Sequence, residues 1–261
     1  MNPFEHLKAE VSYLKSSLMS TDMFGPFTAY TLYVILILIL VIVLVFTARR
    51  QLALVPRNRF VGIMEFFVNF GSQDVGYGVI GKEARRHIPF LLTLFIFILV
   101  SNLVGLIPGA KAATGTMGTT VTLAAISFVY FTWQGIKSQG GLHYLKSFAP
   151  SGVKPLPLAA FVWFLEFVSN LLRLLTLSVR LFANMFAGHL LLGVLAILCN
   201  LFFVAAIQQL ALSSVPLLIG SALWLVLLTV LYALEVFVAC IQAYVFTLLS
   251  SAYIFLATLE H

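Results

Sequence analysis

From Pro155 to His261 only five side chains carry a charge: Glu166, Arg173, Arg180, Glu235 and Glu260. The residues between them are mostly Leu, Phe, Val, Ile and Ala, with no continuous polar face to turn towards water. Soluble domains carry about 25% charged and 45–50% apolar residues. This chain of 261 residues has 9% and 61%. Such a composition leaves too little polar surface to cover a globule in water, so lipid is the solvent for most of the chain. The predicted fold class is an all-α integral membrane protein, with an N-terminal amphipathic helix, about five membrane passes and two long, strongly tilted C-terminal helices.

Residues 1–28 form an N-terminal external segment. Within it Phe4, Leu7, Val11, Leu14 and Leu18 recur at steps of three and four, with Glu5, Lys8, Glu10 and Lys15 off that stripe. The pattern predicts a surface helix and lacks the layout of a cleaved signal peptide. The first span covers 29–47, long enough for a hydrocarbon core of about 30 Å. A basic segment, 48–87, follows and contains a short interfacial helix at Phe60–Phe70 and a Gly-containing loop. Residues 88–136 read as a membrane hairpin that turns at Pro108 and Gly109, and 137–157 as a polar loop. The remainder, 158–261, reads as two very long helices over about 158–200 and 215–258, with a weak break at Ala211–Pro216. Forty helical residues reach about 60 Å, twice the hydrocarbon thickness, so these helices must lie tilted or broken.

The net charge of +6 is a matter of topology and not of nucleic acid. Seven Lys and Arg fall in 48–87 and three in 137–157, against one in the 108–119 loop. Counting positive residues in short loops puts the N-terminus outside and the C-terminus in the cytoplasm. Cys199 and Cys240 have neither CxxC nor Cys/His spacing and read as small buried residues. No GxxxxGK[ST] pattern occurs, so nucleotide chemistry is left to partners. Neither a metal nor a cofactor is expected.

Charge inside a span is expensive, roughly 2.5–3.5 kcal/mol for an arginine at a helix centre on insertion scales. Yet Glu166, Arg173 and Arg180 are spaced by sevens, and Asn170, Thr176 and Asn184 lie within about 80° of Arg180 on a helical projection. His189 lies roughly opposite. In the last segment Glu235 and Gln242 are also seven apart, and Tyr253 returns to the same face. A lone carboxylate in lipid needs a cation or donor beside it to hold a charge, and His189 is one candidate. Polar residues such as Asn170, Thr176, Asn184 and Gln242 can also simply knit helices together, at about 0.6 kcal/mol each. Asn102, near the end of the second span, is open to either role. Charged groups within a span mark ion pathways or counter-ions by default.

The stretch "SVRLFANMFAGHLL" closely resembles the motif of subunit a of F-type ATP synthases: an arginine, then Leu-Phe, a small residue, Asn-Met, an aromatic residue and Ala-Gly. The likeness extends to "SNLVGLIPG", "EFVSNLLRLLTLSVR" and "IQAYVFTLLSSAYI" and covers most of the chain. It implies a proton-channel stator whose two tilted helices lie against a rotating ring of c subunits, with peripheral stalk subunit b and, indirectly, the F1 catalytic sector as further partners in a bacterial plasma membrane. By motif, Arg180 is similar to the essential stator arginine. Asn184, His189, Glu235 and Gln242 match positions of the outer proton path, and Asn102 a polar position of the outer half-channel. Glu166, Ser169, Asn170, Arg173 and Thr176 match the cytoplasmic approach. Leu174 stands where relatives commonly have Pro, and histidine and acid are exchanged at His189 and Glu235. The resemblance implies a translocating subunit that is not an enzyme by itself.

Other classes fit less well. A stand-alone secondary transporter predicts two related halves with interrupted helices, and no internal repeat is visible. A structural anchor leaves the Glu166–Arg173–Arg180 stripe without a reason. An intramembrane protease would need GxSG or paired aspartates in the spans, and neither is present.

Overall fold

The computed structural model describes residues 29–51, 59–107, 110, 112–140, 156–208 and 215–258. The amphipathic segment expected at 1–20, most of the 137–157 loop and most of the expected break at Ala211–Pro216 lie outside these residues. The described chain is helical: α1 (Ala29–Gln51), α2 (Arg59–Phe70), α3 (Ile88–Gly105), α4 (Met117–Gln139), α5 (Leu156–Gln208) and α6 (Val215–Thr258). A π-helical stretch, Gly71–Tyr77, and a 3-10 turn, Gly81–Arg86, lead into α3, and a second 3-10 turn, Ala113–Gly115, leads into α4.

Four helices are long and apolar enough to cross a membrane: Tyr30–Thr47, Ile88–Gly105, Phe161–Ala205 and Ile219–Thr258. The chain is an integral membrane protein. α4, the expected third span, falls short of that apolarity because several of its side chains are polar and turned inward. Thr120 meets Ser178 of α5 at 3.3 Å, and Ser127 meets Ser250 of α6 at 2.9 Å, both pairs buried. Small hydroxyl residues let helices approach closely in lipid, where apolar burial alone gives no driving force between helices.

The expected Gly-containing loop after α2 is instead the π-helical stretch. It lies against α3 and α6, and the Val75 carbonyl accepts a 2.6 Å hydrogen bond from Ser251 Oγ. α2 rests on α3 through Phe67 and Phe70, both beside Phe95, and leaves Phe66 outward.

The core is centred on α3. Leu94, Phe95, Ile98 and Leu99 are buried against Ile37 of α1, Leu123 and Ala124 of α4, Leu177 and Leu181 of α5, and Ala243 and Phe246 of α6. Gly105 closes α3 where the chain doubles back: a Cβ there would lie 2.9 Å from the Ala112 Cα, so only glycine allows the approach. Beyond this centre and two smaller buried clusters, many apolar side chains point outward, among them Leu223 at 68% and Phe237 at 65% exposure. In water such a surface would aggregate; in lipid it is the wall of a membrane protein.

α5 runs unbroken for 53 residues, straight through Leu174. At ~1.5 Å per residue it is about 80 Å long, and α6, with 44 residues, about 66 Å. A rod of 80 Å stays within a layer of about 30 Å only when steeply inclined.

Candidate functional site

α5 and α6 pack against each other more extensively than any other pair of elements, and side-chain pairs fix their antiparallel register. The Arg173 guanidinium lies over the Tyr253 ring, 5.2 Å from its centre. Further along α5, Gly188 faces the carboxyl of Glu235: a Cβ on Gly188 would lie 2.5 Å from Oε2 and 2.7 Å from Cδ. Beyond that, Phe202 stacks with Trp224. The helices therefore run past each other with polar contacts on both sides of Arg180 and apolar ones beyond.

Arg180, two turns along α5 from Arg173, lies at the exposed edge of this contact. Leu177, Ser178, Leu181 and Met185 are buried, whereas Arg180 is exposed together with Thr176, Val179, Ala183 and Ala187. Among the described residues it has no hydrogen-bond or ion-pair partner. A guanidinium does not release its proton in proteins. Arg180 thus presents a permanent cation on an apolar outer wall, flanked by small side chains.

The expected approach residues divide by depth. Asn170 is buried, and its Oδ1 accepts a 2.9 Å hydrogen bond from Arg173 Nη1. With Tyr253 on its other side, Arg173 is held in place by two neighbours. Thr176 Oγ1 donates to the Arg173 carbonyl of its own helix at 3.0 Å. Ser169 is half-buried, and Glu166 is exposed.

On the other side of Arg180 the polar groups converge. Glu235 and Gln242 are buried on α6, and Asn184 and His189 are half-buried on α5. Glu235 is seated against Gly188, the residue before His189, so the two candidate proton carriers share one level. Asn184 Nδ2, His189 Nε2 and Gln242 Nε2 are buried without a hydrogen-bond partner among the described residues. Most buried polar atoms are paired, and each exception needs a reason. Here three exceptions lie on the two helices that enclose one carboxyl.

Asn102 is fully buried and engaged at both ends. Its Oδ1 accepts from Thr114 Oγ1 at 2.8 Å, and its Nδ2 donates to the Ala239 carbonyl at 3.4 Å, one turn along α6 from Glu235. Ser101 joins this knot through the Thr114 backbone N–H, at 3.2 Å. Tyr232 Oη donates to the Leu106 carbonyl and ties the same corner to α6.

Sequence reasoning missed the Gly188 seat, the Arg173–Tyr253 contact and the Thr114 and Ala239 partners of Asn102. A signal existed for the second, since Tyr253 shares the polar face of α6; for the others only the interhelical register reveals them. Among the described residues no group of His, Cys, Asp and Glu could hold a metal ion.

The fold and site together define a helical membrane protein whose long helix pair presents an exposed arginine, Arg180, between two sets of polar groups. The family pattern described as ATP synthase A chain matches residues 29–255. The ATP synthase subunit a of Rubrobacter xylanophilus is 39% identical over 196 residues, covering 75% of this chain and 70% of that one. That of a Nocardioides species is 40% identical over 213 residues, covering 80% and 74%. That of Frankia alni is 36% identical over 230 residues, covering 87% and 75%. The chain belongs to the ATP synthase A chain family.

Proposed function

We propose that this chain is the proton-translocating stator subunit of an F-type ATP synthase, with two offset half-channels that serve the carboxylates of a c-ring. The observation that carries the reading is Arg180: an exposed cation on the outer wall of α5 with no partner among the described residues, and with buried polar groups before and after it along the helix. Arg173 lies seven residues to one side and Gly188 eight to the other, about 11–12 Å each along the axis. That separation supports two paths that do not meet except through a mobile carrier.

The mechanism follows from the charge. A ring carboxylate crosses lipid only when protonated and neutral, because an ion there is too costly. Beside Arg180 its ionised form is favoured, so the proton leaves it there. Re-protonation from the other half-channel frees the site to move on, and net rotation follows the proton gradient. Arg180 also repels cations that would otherwise leak between the half-channels. Each proton crossing 100 mV releases about 2.3 kcal/mol, so several are needed for each ATP. The attraction must stay transient, since a closed ion pair would stall the ring. An exposed arginine without a partner of its own suits that requirement.

In this reading His189, Glu235, Asn184 and Gln242 line the outer path, with Asn102 bracing its wall, and Glu166, Ser169, Asn170, Arg173 and Thr176 the cytoplasmic one. The Lys and Arg count supports a plasma-membrane orientation with residues 1–28 outside and the 48–87 and 137–157 segments in the cytoplasm. Subunit b and the F1 sector complete the complex.

The test is co-purification. The tagged chain, solubilised gently, is expected to bring down a small two-helix, carboxylate-bearing protein in many copies together with nucleotide-binding subunits, read by mass spectrometry. Recovery of the chain alone or as a homodimer, under conditions that preserve other complexes, would point instead to a self-contained transporter.

A further inference from the structure

At the end of the bundle remote from Gly105, the start of α3 and the ends of α4 and α6 come together. Ser138 Oγ donates to the Thr258 carbonyl and Gln139 Nε2 to the Ala257 carbonyl, each at 3.4 Å, so the α4 terminus caps that of α6. Beside them opens a cavity of about 900 Å³ lined by Glu83, Arg85, Arg86, His87, Gln134 and Lys137. None of these residues belongs to either proposed proton path. Arg85, Arg86 and Lys137 are exposed, and against them stands one carboxylate, Glu83, leaving two positive charges in excess. His87 is buried, its Nδ1 3.1 Å from Tyr130 Oη, and burial together with the neighbouring Arg86 lowers its pKa and keeps it neutral at pH 7.

Three helix ends lie at one level beside this cavity, the level at which helices that span a bilayer leave the hydrocarbon for water. One face of α4 leads away from it: Ile126 (49% exposed), Val129 (64%) and Trp133 (64%) share a face that ends in Lys137. Tryptophan at such a level is typical of membrane interfaces. A basic pocket at the top of an exposed apolar track has the two parts that a lipid with an anionic headgroup requires, a cation for the phosphate and a surface for the chains.

We propose that this cavity holds the phosphate of an anionic membrane lipid, with Arg85, Arg86 and Lys137 on the headgroup and the Ile126–Val129–Trp133 face of α4 along an acyl chain. The inference rests on the membrane placement of the helices and not on the proton path. A free phosphate ion would satisfy the same cations but would leave the apolar track unused.

The experiment is native mass spectrometry of the full chain in detergent, with phosphatidylglycerol and phosphatidylcholine of identical chains as probes. The wild type is expected to retain phosphatidylglycerol in preference to phosphatidylcholine. Arg86→Gln together with Lys137→Gln should cut that preference about thirtyfold. Glu83→Gln, which removes the opposing charge, should raise it, a gain that a damaged fold would not produce. Equal retention of both lipids by the wild type, or an unchanged preference in the double variant, would overturn the proposal. Displacement of phosphatidylglycerol by millimolar inorganic phosphate would overturn the lipid assignment in favour of the free ion.

Discussion

Gly188→Ala isolates the seat of Glu235 from the stability of the fold. The added Cβ would lie 2.5, 2.7 and 2.9 Å from Oε2, Cδ and Oε1 of Glu235. Ordinary contacts begin near 3.4 Å, so the carboxyl must retreat by about 1 Å. A glutamate has the torsional freedom to do so, at about 0.5–1.5 kcal/mol for an off-rotamer side chain. Replacing a mid-helix glycine by alanine returns roughly 0.5–1 kcal/mol, so folding should change little. Proton transfer is far more sensitive, because misplacing a reacting group by 1 Å can cost ~10²-fold. ATP-driven acidification of inverted vesicles should therefore fall at least about tenfold, equivalent to ~1.4 kcal/mol on the barrier, with assembly and thermal stability near wild type. Adding Glu235→Asp, which shortens the side chain by one methylene, should recover part of the flux. Wild-type pumping by Gly188→Ala would refute the reasoning. So would a large loss of stability, which would mean that backbone and not carboxyl had yielded.

Three further outcomes follow from the same contacts. Asn102→Ala strips partners from Thr114 and the Ala239 carbonyl, and should lower unfolding stability by about 1–3 kcal/mol in a denaturation series of the purified chain. Arg173→Gln and Tyr253→Leu should be coupled by about 1 kcal/mol in a double-mutant cycle on stability, whereas Tyr253→Phe should behave as wild type. His87 has its pKa lowered below the ordinary 6.5 by burial, with Arg86 adding to the shift and Glu83 opposing it. Its contribution to stability is therefore complete above about pH 6.5 and lost as pH falls from there through the folded value. Thermal unfolding at pH 7.5 and 5.5 should show a smaller difference in His87→Gln than in wild type.

What the sequence revealed, and what it hid, follows from the range of each interaction. Helical periodicity is local, so spacing alone assigns Arg180, Arg173 and Glu235 to polar faces, and the long runs with few charges announce α5 and α6. The Gly188–Glu235 seat and the Arg173–Tyr253 contact depend on how far one helix slides past another, which no single-helix pattern encodes. From sequence α4 reads as an ordinary span because its hydroxyls are scattered; only the packing shows Thr120 and Ser127 facing partners. The π-helical stretch at Gly71–Tyr77 looked like a loop because its glycines and polar residues are turn formers, and its order comes from α3 and α6. The cost of its charge marks Arg180 in the sequence, but its exposure on the outer wall is a property of the assembled helix pair.

The central claim is that a fixed cation at Arg180 couples proton flow to movement of a partner. The direct measurement is ATP-driven acidification of inverted vesicles carrying Arg180→Ala, alongside immunodetection of the assembled complex. Pumping is expected to be abolished while assembly stays nearly intact. Pumping at the wild-type rate by the fully assembled variant would contradict it.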